Sequence, residues 1–547
     1  MGSLSQFIVE DSVKEKLDDA FTKAKSAGTW IEYLDDCHFF LVKAKSENAK
    51  LSFQGAGELV QFYYSDVISI SDDDDVIHKG INLLNQMLDM CREIYKRECP
   101  DWHQQLVGSS LLSRCFLPAI KHSNKDVVYF GMKEILQLIE SSVCKDVMKM
   151  DGIVPAIIEV ISDHATRATP VAKNALIKLC QTEEGLHSVF ANRHSLDAMT
   201  KVAARSDTAK FIIYEVVQQS CMLGSSQLSM ISNSGWLDAL VEEASCGDTL
   251  SNMVALQLLS GLMENDGALQ HLTAAGVLAK LNTSLQLAHS QPGSLAAIHI
   301  PDLLKAFGRV GSNRPEFLCE EYSGVVTIML ECCTRPAADS SLAVIAFETL
   351  TQVAFTFPGK KRLHYDYNSE LKACLVGVGE KMVNGMMAER VRYLGAIINM
   401  LDTQQMPNDR IELDELSELM QCWYSFLFPC GSIAPLNKMI RLPFPEIHLQ
   451  AYELLTVLTK YNWGFKLIAA HNGLLEYLLD RSAGQDKRSK EAKYGVVSAL
   501  VQQMEQLQEI AGERIIHKLC TYRRKGAYYV EPYIETGLAQ MLTLQQT

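Results

Sequence analysis

Several residue groups in this sequence could do chemistry, and each implies a different kind. Gly359-Lys360-Lys361 has the ending of a phosphate-binding loop but not the Gly-x4-Gly-Lys-Ser/Thr frame that cradles a phosphate, so it reads as a surface loop. Gly377-Val378-Gly379 is a fragment of a dinucleotide fingerprint, without the third glycine or a preceding strand. Cys91 and Cys99 lie eight residues apart on an expected helix, with no further ligands at zinc-site spacing. His187 and His194 flank a predicted turn, where hydrogen bonding at helix ends is the ordinary use of histidine. Asp72–Asp75 form an acidic run directly before the apolar-periodic stretch Val76–Cys91, where carboxylates would meet the positive end of a helix dipole. HExxH, paired CxxC and GxSxG patterns are missing, and no spacing assembles a nucleophile, a base and an orienting group. The sequence therefore predicts no catalytic residue, no cofactor site and no metal site, and the chain does not read as an enzyme.

The elements that would position any functional surface form a repeat. An apolar run, a polar step, a Gly and a second apolar run recur at Val147–Ile158, Leu228–Leu240, Leu269–Leu281, Phe317–Met329 and Phe465–Leu478. A weaker copy at His187–Ala198 has Ser195 in place of the glycine. Between Gly152, Ser195, Gly235 and Gly276 the steps are 43, 40 and 41 residues, the period of helical repeats. Longer helical segments precede the anchors: Val127–Ile139, Val171–Cys180, Ala209–Cys221, Met253–Met263 and Leu342–Ala354. The anchor glycine is expected in a left-handed conformation, ending one helix and turning the chain into the next. One unit is then short helix, Gly turn, middle helix, loop and long helix. This predicts an all-α armadillo/HEAT-like α-solenoid, coiled as a curved superhelix.

The period has irregularities. Ser290–Pro301 stretches the step from Gly276 to Gly324 to 48 residues. Phe357–Glu370 and Thr403–Arg410 read as longer loops, and Pro443 and Pro445 bracket Phe444 before a helix from Glu446. Further helices are expected at Val13–Ala24 and Trp30–Ala44. The expected organisation is an irregular helical part over 1–110, repeats over 111–515, and a cap and tail over 516–547, with no linker long enough to part independent domains.

Composition narrows the partners. The chain has 547 residues, 48% hydrophobic and 21% charged, with 51 Lys and Arg against 65 Asp and Glu, a formal charge of -14. Such a balance disfavours nucleic acid and anionic membranes, which need a positive surface, and favours solubility and a basic protein partner. Fifteen scattered cysteines, a polar start after Met1 and the lack of an 18-residue apolar run read as a reduced, soluble, intracellular protein of the cytoplasm and also the nucleus.

The candidate partner-binding surface is the wall made by the long helices. Its exposed positions, four residues apart, are expected at Asn174 and Lys178, Tyr214 and Gln218, Glu348 and Gln352, and Glu453. The Trp–Asn ladder of peptide-transport armadillo proteins is missing; the tryptophans are Trp30, Trp102, Trp236, Trp423 and Trp463. Toward the carboxy terminus, Lys518, Arg523, Arg524 and Lys525 stand beside Tyr522, Tyr528, Tyr529 and Tyr533. On an acidic chain this group reads as a cap, its tyrosines covering the last helix face, rather than as a nucleic-acid site. An armadillo-type adaptor or transport scaffold for another protein partner is the alternative function.

Leu442-Pro443-Phe444-Pro445-Glu446, Trp463, Glu476-Tyr477, Asp480-Arg481-Ser482, Lys490–Tyr494 and Tyr528-Tyr529-Val530 with Pro532 follow one another in an order that resembles the last repeats of the 26S proteasome non-ATPase regulatory subunit 5 family. The resemblance is specific over these roughly ninety residues, rests on the repeat layout over about 120–440, and fades before 110. It implies a chaperone for assembly of the proteasome regulatory-particle base, without catalysis of its own. Such a protein holds the carboxy-terminal domain of one ATPase subunit and helps form an early module with a neighbouring ATPase and a large non-ATPase scaffold subunit. It then leaves before the mature complex. The resemblance also implies no cofactor, no nucleic acid, no membrane and a monomer when free.

Overall fold

The computed structural model describes most of residues 73–529, with breaks at 99–110, 142–143, 151, 163–165, 247–248, 335–339, 404–406, 484–485, 504–507 and 509–511, together with scattered positions between 22 and 71. Val13–Ala24 falls largely outside the described residues; of Trp30–Ala44, residues 30–35 and 37–38 are described and helical, and Asp72, Cys99, Trp102, Val530, Pro532 and Tyr533 lie outside. All regular structure among the described residues is helical, and the fold is an all-α solenoid of armadillo type. No single described helix is long and apolar enough to cross a membrane. Two compact units are formed, Met1–His271 and Leu272–Thr547.

In the first unit the long helices Lys125–Ile139, Ala168–Leu179, Asp207–Cys221 and Thr249–Leu262 pack each against the next. The middle helices Ile153–Val160, Arg193–Arg205 and Trp236–Cys246 lie against them. On Asp207–Cys221 the buried residues include Ala209, Ile213, Tyr214, Val217 and Cys221, a stripe at three- and four-residue intervals. Ser206 starts that helix by accepting a bond from the Ala209 N–H. Thr249–Leu262 is covered on both sides: between Ser251 and Met263 only Gln257 is exposed. Ahead of the repeats, Asp74 and Asp75 occupy the first turn of Asp74–Glu98, the place expected for the acidic run.

In the second unit Ile300–Asn313, Ser340–Val353, Met387–Leu401, Pro445–Leu458 and Lys487–Gln502 form a like row, and Glu513–Lys525 packs on the last of them. A second row runs through Val277–Ser290, Ser323–Thr334, Asn368–Asn384 and Arg410–Leu427. Two expectations are corrected here. Phe357–Glu370 is not a loop but holds the helix Phe357–Asp366 and the start of Asn368–Asn384. Pro358 and Gly359 lie in a first helical turn, where a missing N–H costs nothing, and the Thr356 hydroxyl accepts from the Gly359 N–H at 3.4 Å. Lys360 and Lys361 are consequently helical. Within Ser290–Pro301 the chain makes a 3-10 turn at Leu295–His299 before Pro301 enters Ile300–Asn313.

The anchor glycines divide into two kinds. Gly152, Gly235 and Gly276 have φ of 80°, 81° and 72°, with nothing near the place of a Cβ, so conformation and not space demands glycine there. Gly324 and Gly473 instead sit inside the first turns of Ser323–Thr334 and Asn472–Leu479, without positive φ. For the latter helix the His471 ring accepts from the Leu474 N–H at 3.1 Å. Ser195 also lies inside a helix, and its hydroxyl donates to the Ser188 carbonyl at 2.7 Å.

A further recurrent glycine was not foreseen. Gly185, Gly359 and Gly464 each follow the end of a long helix by six residues. A Cβ there would lie 2.2, 1.9 and 2.4 Å from the carbonyl oxygens of Leu179, Val353 and Leu458. The short helix therefore crosses the last turn of the long one at backbone contact, which only glycine permits.

Candidate functional site

The seven expected wall positions have different fates. In the first unit Asn174 and Lys178 are exposed on Ala168–Leu179. Tyr214 is not a wall residue: it is only 4% exposed, and its ring meets Phe211 and Trp236 edge-on at 5.8 and 6.1 Å. Its hydroxyl donates to the Ala239 carbonyl at 3.4 Å, and burial raises its pKa. The error comes from the anchors, because Ser195 lies within its helix and Gly235 just before one. Equal offsets from the two therefore point to different sides of the preceding long helix, at about 100° per residue.

Gln218 is half-buried and lies across Gly261 of the next long helix, where a Cβ would approach its amide nitrogen to 2.3 Å. In the second unit Gln352 lies across Gly308 in the same manner, at 2.5 Å, while remaining exposed. Glu453 is exposed on Pro445–Leu458. Glu348 accepts a bidentate pair of bonds from Arg392 of the neighbouring long helix at 2.8 and 2.6 Å. Asn174, Lys178, Gln352 and Glu453 are thus the exposed members of the set.

The Glu348–Arg392 contact is one of a series joining residues about one repeat apart. Lys173 pairs with Glu215 at 2.7 Å and His289 with Glu331 at 2.8 Å, both 42 residues apart. Lys145 pairs with Glu184 at 2.8 Å over 39 residues, and Arg362 pairs with Glu320 over 42. Individually such exposed pairs add little stability, but together they fix the register of neighbouring units. Opposite charges one period apart are the sequence signal that would have revealed them. Arg92 and Glu134 make the buried version, with side chains 12% and 3% exposed. Glu134 Oε1 and Arg92 Nε have no partner there among the described residues, and burial raises the Glu134 pKa against the opposing pull of Arg92.

Two buried lysines serve as helix-end plugs. Lys360 Nζ donates to the carbonyls of Ala354, Met400 and Asp402 at 2.5, 2.9 and 3.1 Å, tying the carboxy-terminal ends of Ser340–Val353 and Met387–Leu401 together. Burial pushes its ammonium down to about 7. Lys493 Nζ reaches the carbonyls of Tyr477 in the last turn of Asn472–Leu479 and of Asp480 and Ala483 beyond it, and burial lowers it to about 8. Last-turn carbonyls lack intrahelical donors, and a lysine supplies them.

Part of the set that carries the family resemblance meets in space, namely residues of 477–494 with those around 522–529. The Arg481 guanidinium lies 4.0 Å from the Tyr522 ring centre and donates to the carbonyls of Tyr522, Gly526 and Tyr529 at 3.1, 2.9 and 3.2 Å. It therefore fastens the end of Glu513–Lys525. Tyr494 donates to the Arg523 carbonyl at 3.2 Å, and Tyr477 to that of Ile440 at 3.1 Å. Trp463 stacks on Tyr461 at 5.8 Å and donates to the Ser417 carbonyl at 3.0 Å. Tyr522 is buried, whereas Tyr528 is exposed and bonds Glu491. His187 and His194 are exposed, and the turn between them is capped by the Asn192 side chain, not by a histidine ring. Among the described residues no group of three His, Cys, Asp or Glu could hold a metal.

A family model described as proteasome non-ATPase 26S subunit matches residues 56–541. The chain belongs to that family. Membership extends well beyond the ninety-residue resemblance near the carboxy terminus and reaches into the first 110 residues. Human 26S proteasome non-ATPase regulatory subunit 5 is 25% identical over 422 residues, covering 76% of this chain and 81% of the relative. Its mouse counterpart is 23% identical over 421 residues, covering 77% and 81%. A crystal structure of a Kap121p mutant superposes with a TM-score of 0.50 at 10% identity, covering 98% of this chain and 55% of that one. That likeness is one of fold alone.

Proposed function

We propose that this protein is an assembly chaperone for the base of the proteasome regulatory particle. It holds the carboxy-terminal domain of one base ATPase subunit, in company with a neighbouring ATPase and a large non-ATPase scaffold subunit. It leaves before the mature particle forms, and it acts in the cytoplasm. The observation that carries this reading is the family match over 56–541. The exposed long-helix residues Asn174 and Lys178 in the first unit, and Gln352 and Glu453 in the second, are the contacts we assign to the client. They are polar and stand on rigid helices, a surface suited to reversible binding. Gln218 contributes from its half-buried position, and Glu348 reaches a client only by giving up Arg392. Release follows when later assembly contacts favour the arrangement without the chaperone.

Affinity capture from the source cells tests this reading. Regulatory-particle ATPases should be recovered with little core particle. Stoichiometric recovery of mature, active 26S particles would overturn it.

A further inference from the structure

A groove of about 1070 Å³ opens in the second unit among Asn472–Leu479, Lys487–Gln502 and Glu513–Lys525. Lys490, Arg514 and Lys518 line it, and among the described residues none of the three has a carboxylate partner. The three thus gather positive charge at one groove of a chain whose formal charge is -14. Leu475, Leu479 and Ile515 give the same groove an apolar component. Glu476 and Asp480 also line it. Asp480 is already committed: the Ser482 hydroxyl and N–H donate to it at 2.7 and 2.8 Å and hold its carboxyl below the usual range.

We propose that this groove is a docking site for an acidic polypeptide segment of a partner, an extended stretch in which Asp or Glu alternates with apolar residues. The acidic side chains meet Lys490, Arg514 and Lys518, the apolar ones rest on Leu475, Leu479 and Ile515, and Glu476 accepts from peptide N–H groups. Local positive charge on an acidic molecule focuses such a ligand to one place. Nucleic acid fits less well. The two carboxylates oppose a continuous phosphate chain. Arg481 occupies the Tyr522 ring face at 4.0 Å, and Lys525 that of Tyr529 at 4.2 Å, so neither ring is offered to a base. The site is independent of the chaperone reading and of the client contacts assigned above.

The test is fluorescence anisotropy of the full chain with a labelled alternating Glu–Leu octapeptide. The double variant Lys490→Glu with Lys518→Glu should weaken binding about tenfold or more, and Lys518→Gln alone a few-fold, with helicity unchanged. Arg523→Glu with Arg524→Glu changes the same net charge on exposed residues that do not line the groove, and should shift affinity less than about twofold. A Gln–Leu octapeptide should bind about tenfold more weakly. Equal losses in the two double variants, equal binding of the two peptides, or no binding of the Glu–Leu peptide would overturn the assignment. So would tighter binding of oligothymidine or phosphatidylserine vesicles through the same lysines. Should the double variant unfold, Lys518→Gln decides the matter.

Discussion

The long-helix row of the second unit and the groove at its end treat charge in opposite ways. Along the row, Glu348 is held by Arg392 of the next helix, and Lys360 is enclosed by three carbonyls. In the groove Lys490, Arg514 and Lys518 face an open volume, with no acidic partner among the described residues. The difference teaches that a charged residue on a solenoid helix must first be checked against its neighbour one repeat away. Glu348 has the sequence appearance of a contact residue and is a brace. Lys518 has the appearance of a terminal charge and borders a cleft.

Substitutions sharpen this contrast in order of expected size. At the buried extreme of the paired class, Glu134→Gln should cost about 3 kcal/mol, because it removes the buried one of the two carboxylates that hold Arg92 and leaves that guanidinium only Asp89 at 2.6 Å. Chemical denaturation monitored by helicity measures this, and a loss below about 1 kcal/mol would place the pair among the dispensable surface bridges.

Lys360→Met should cost about 2 to 3 kcal/mol by leaving three carbonyls without a donor. Lys360 also gives a pH signature. Its folded pKa of about 7 lies below the unfolded 10.5, so between these values the unfolded chain binds the extra proton. The stability contributed by this group is then full above 10.5 and is lost as pH falls through that window toward 7. Thermal midpoints across the window should rise with pH in the parent chain and rise less in Lys360→Met.

The smallest effects draw the line between row and groove. Glu348→Gln should cost below about 1 kcal/mol, and less at high salt. Lys518→Glu should change stability by no more than about 0.5 kcal/mol while changing peptide affinity. If Lys518→Glu destabilised the chain more than Glu348→Gln did, the contrast between paired row and open groove would fail.

Much of the fold was legible because period and apolar spacing are local properties: the five expected long segments, from Val127–Ile139 to Leu342–Ala354, all coincide with helices, although Ile300–Asn313, Met387–Leu401 and Lys487–Gln502 were not singled out. What was hidden depends on context across repeats. Pro358 and Gly359 suggested a loop, yet proline in a first turn and glycine at a close helix crossing serve a helix start. Tyr214 looked exposed by analogy of offset, yet its ring fills the space beside Trp236. The candidate wall was legible in part, since Asn174, Lys178, Gln352 and Glu453 do face solvent. The groove was half visible: the basic cluster after Lys518 was noticed, but Lys490 and Arg481 come from helices and turns roughly thirty to forty residues earlier.

The most direct test of the central claim measures the affinity of the purified chain for the carboxy-terminal domain of the ATPase subunit that it captures. With Lys178→Glu, Gln352→Lys and Glu453→Lys combined, affinity should fall about tenfold or more with helicity retained, while the Lys490→Glu and Lys518→Glu pair leaves it unchanged. Unchanged affinity in the triple variant, with the fold intact, would contradict the account.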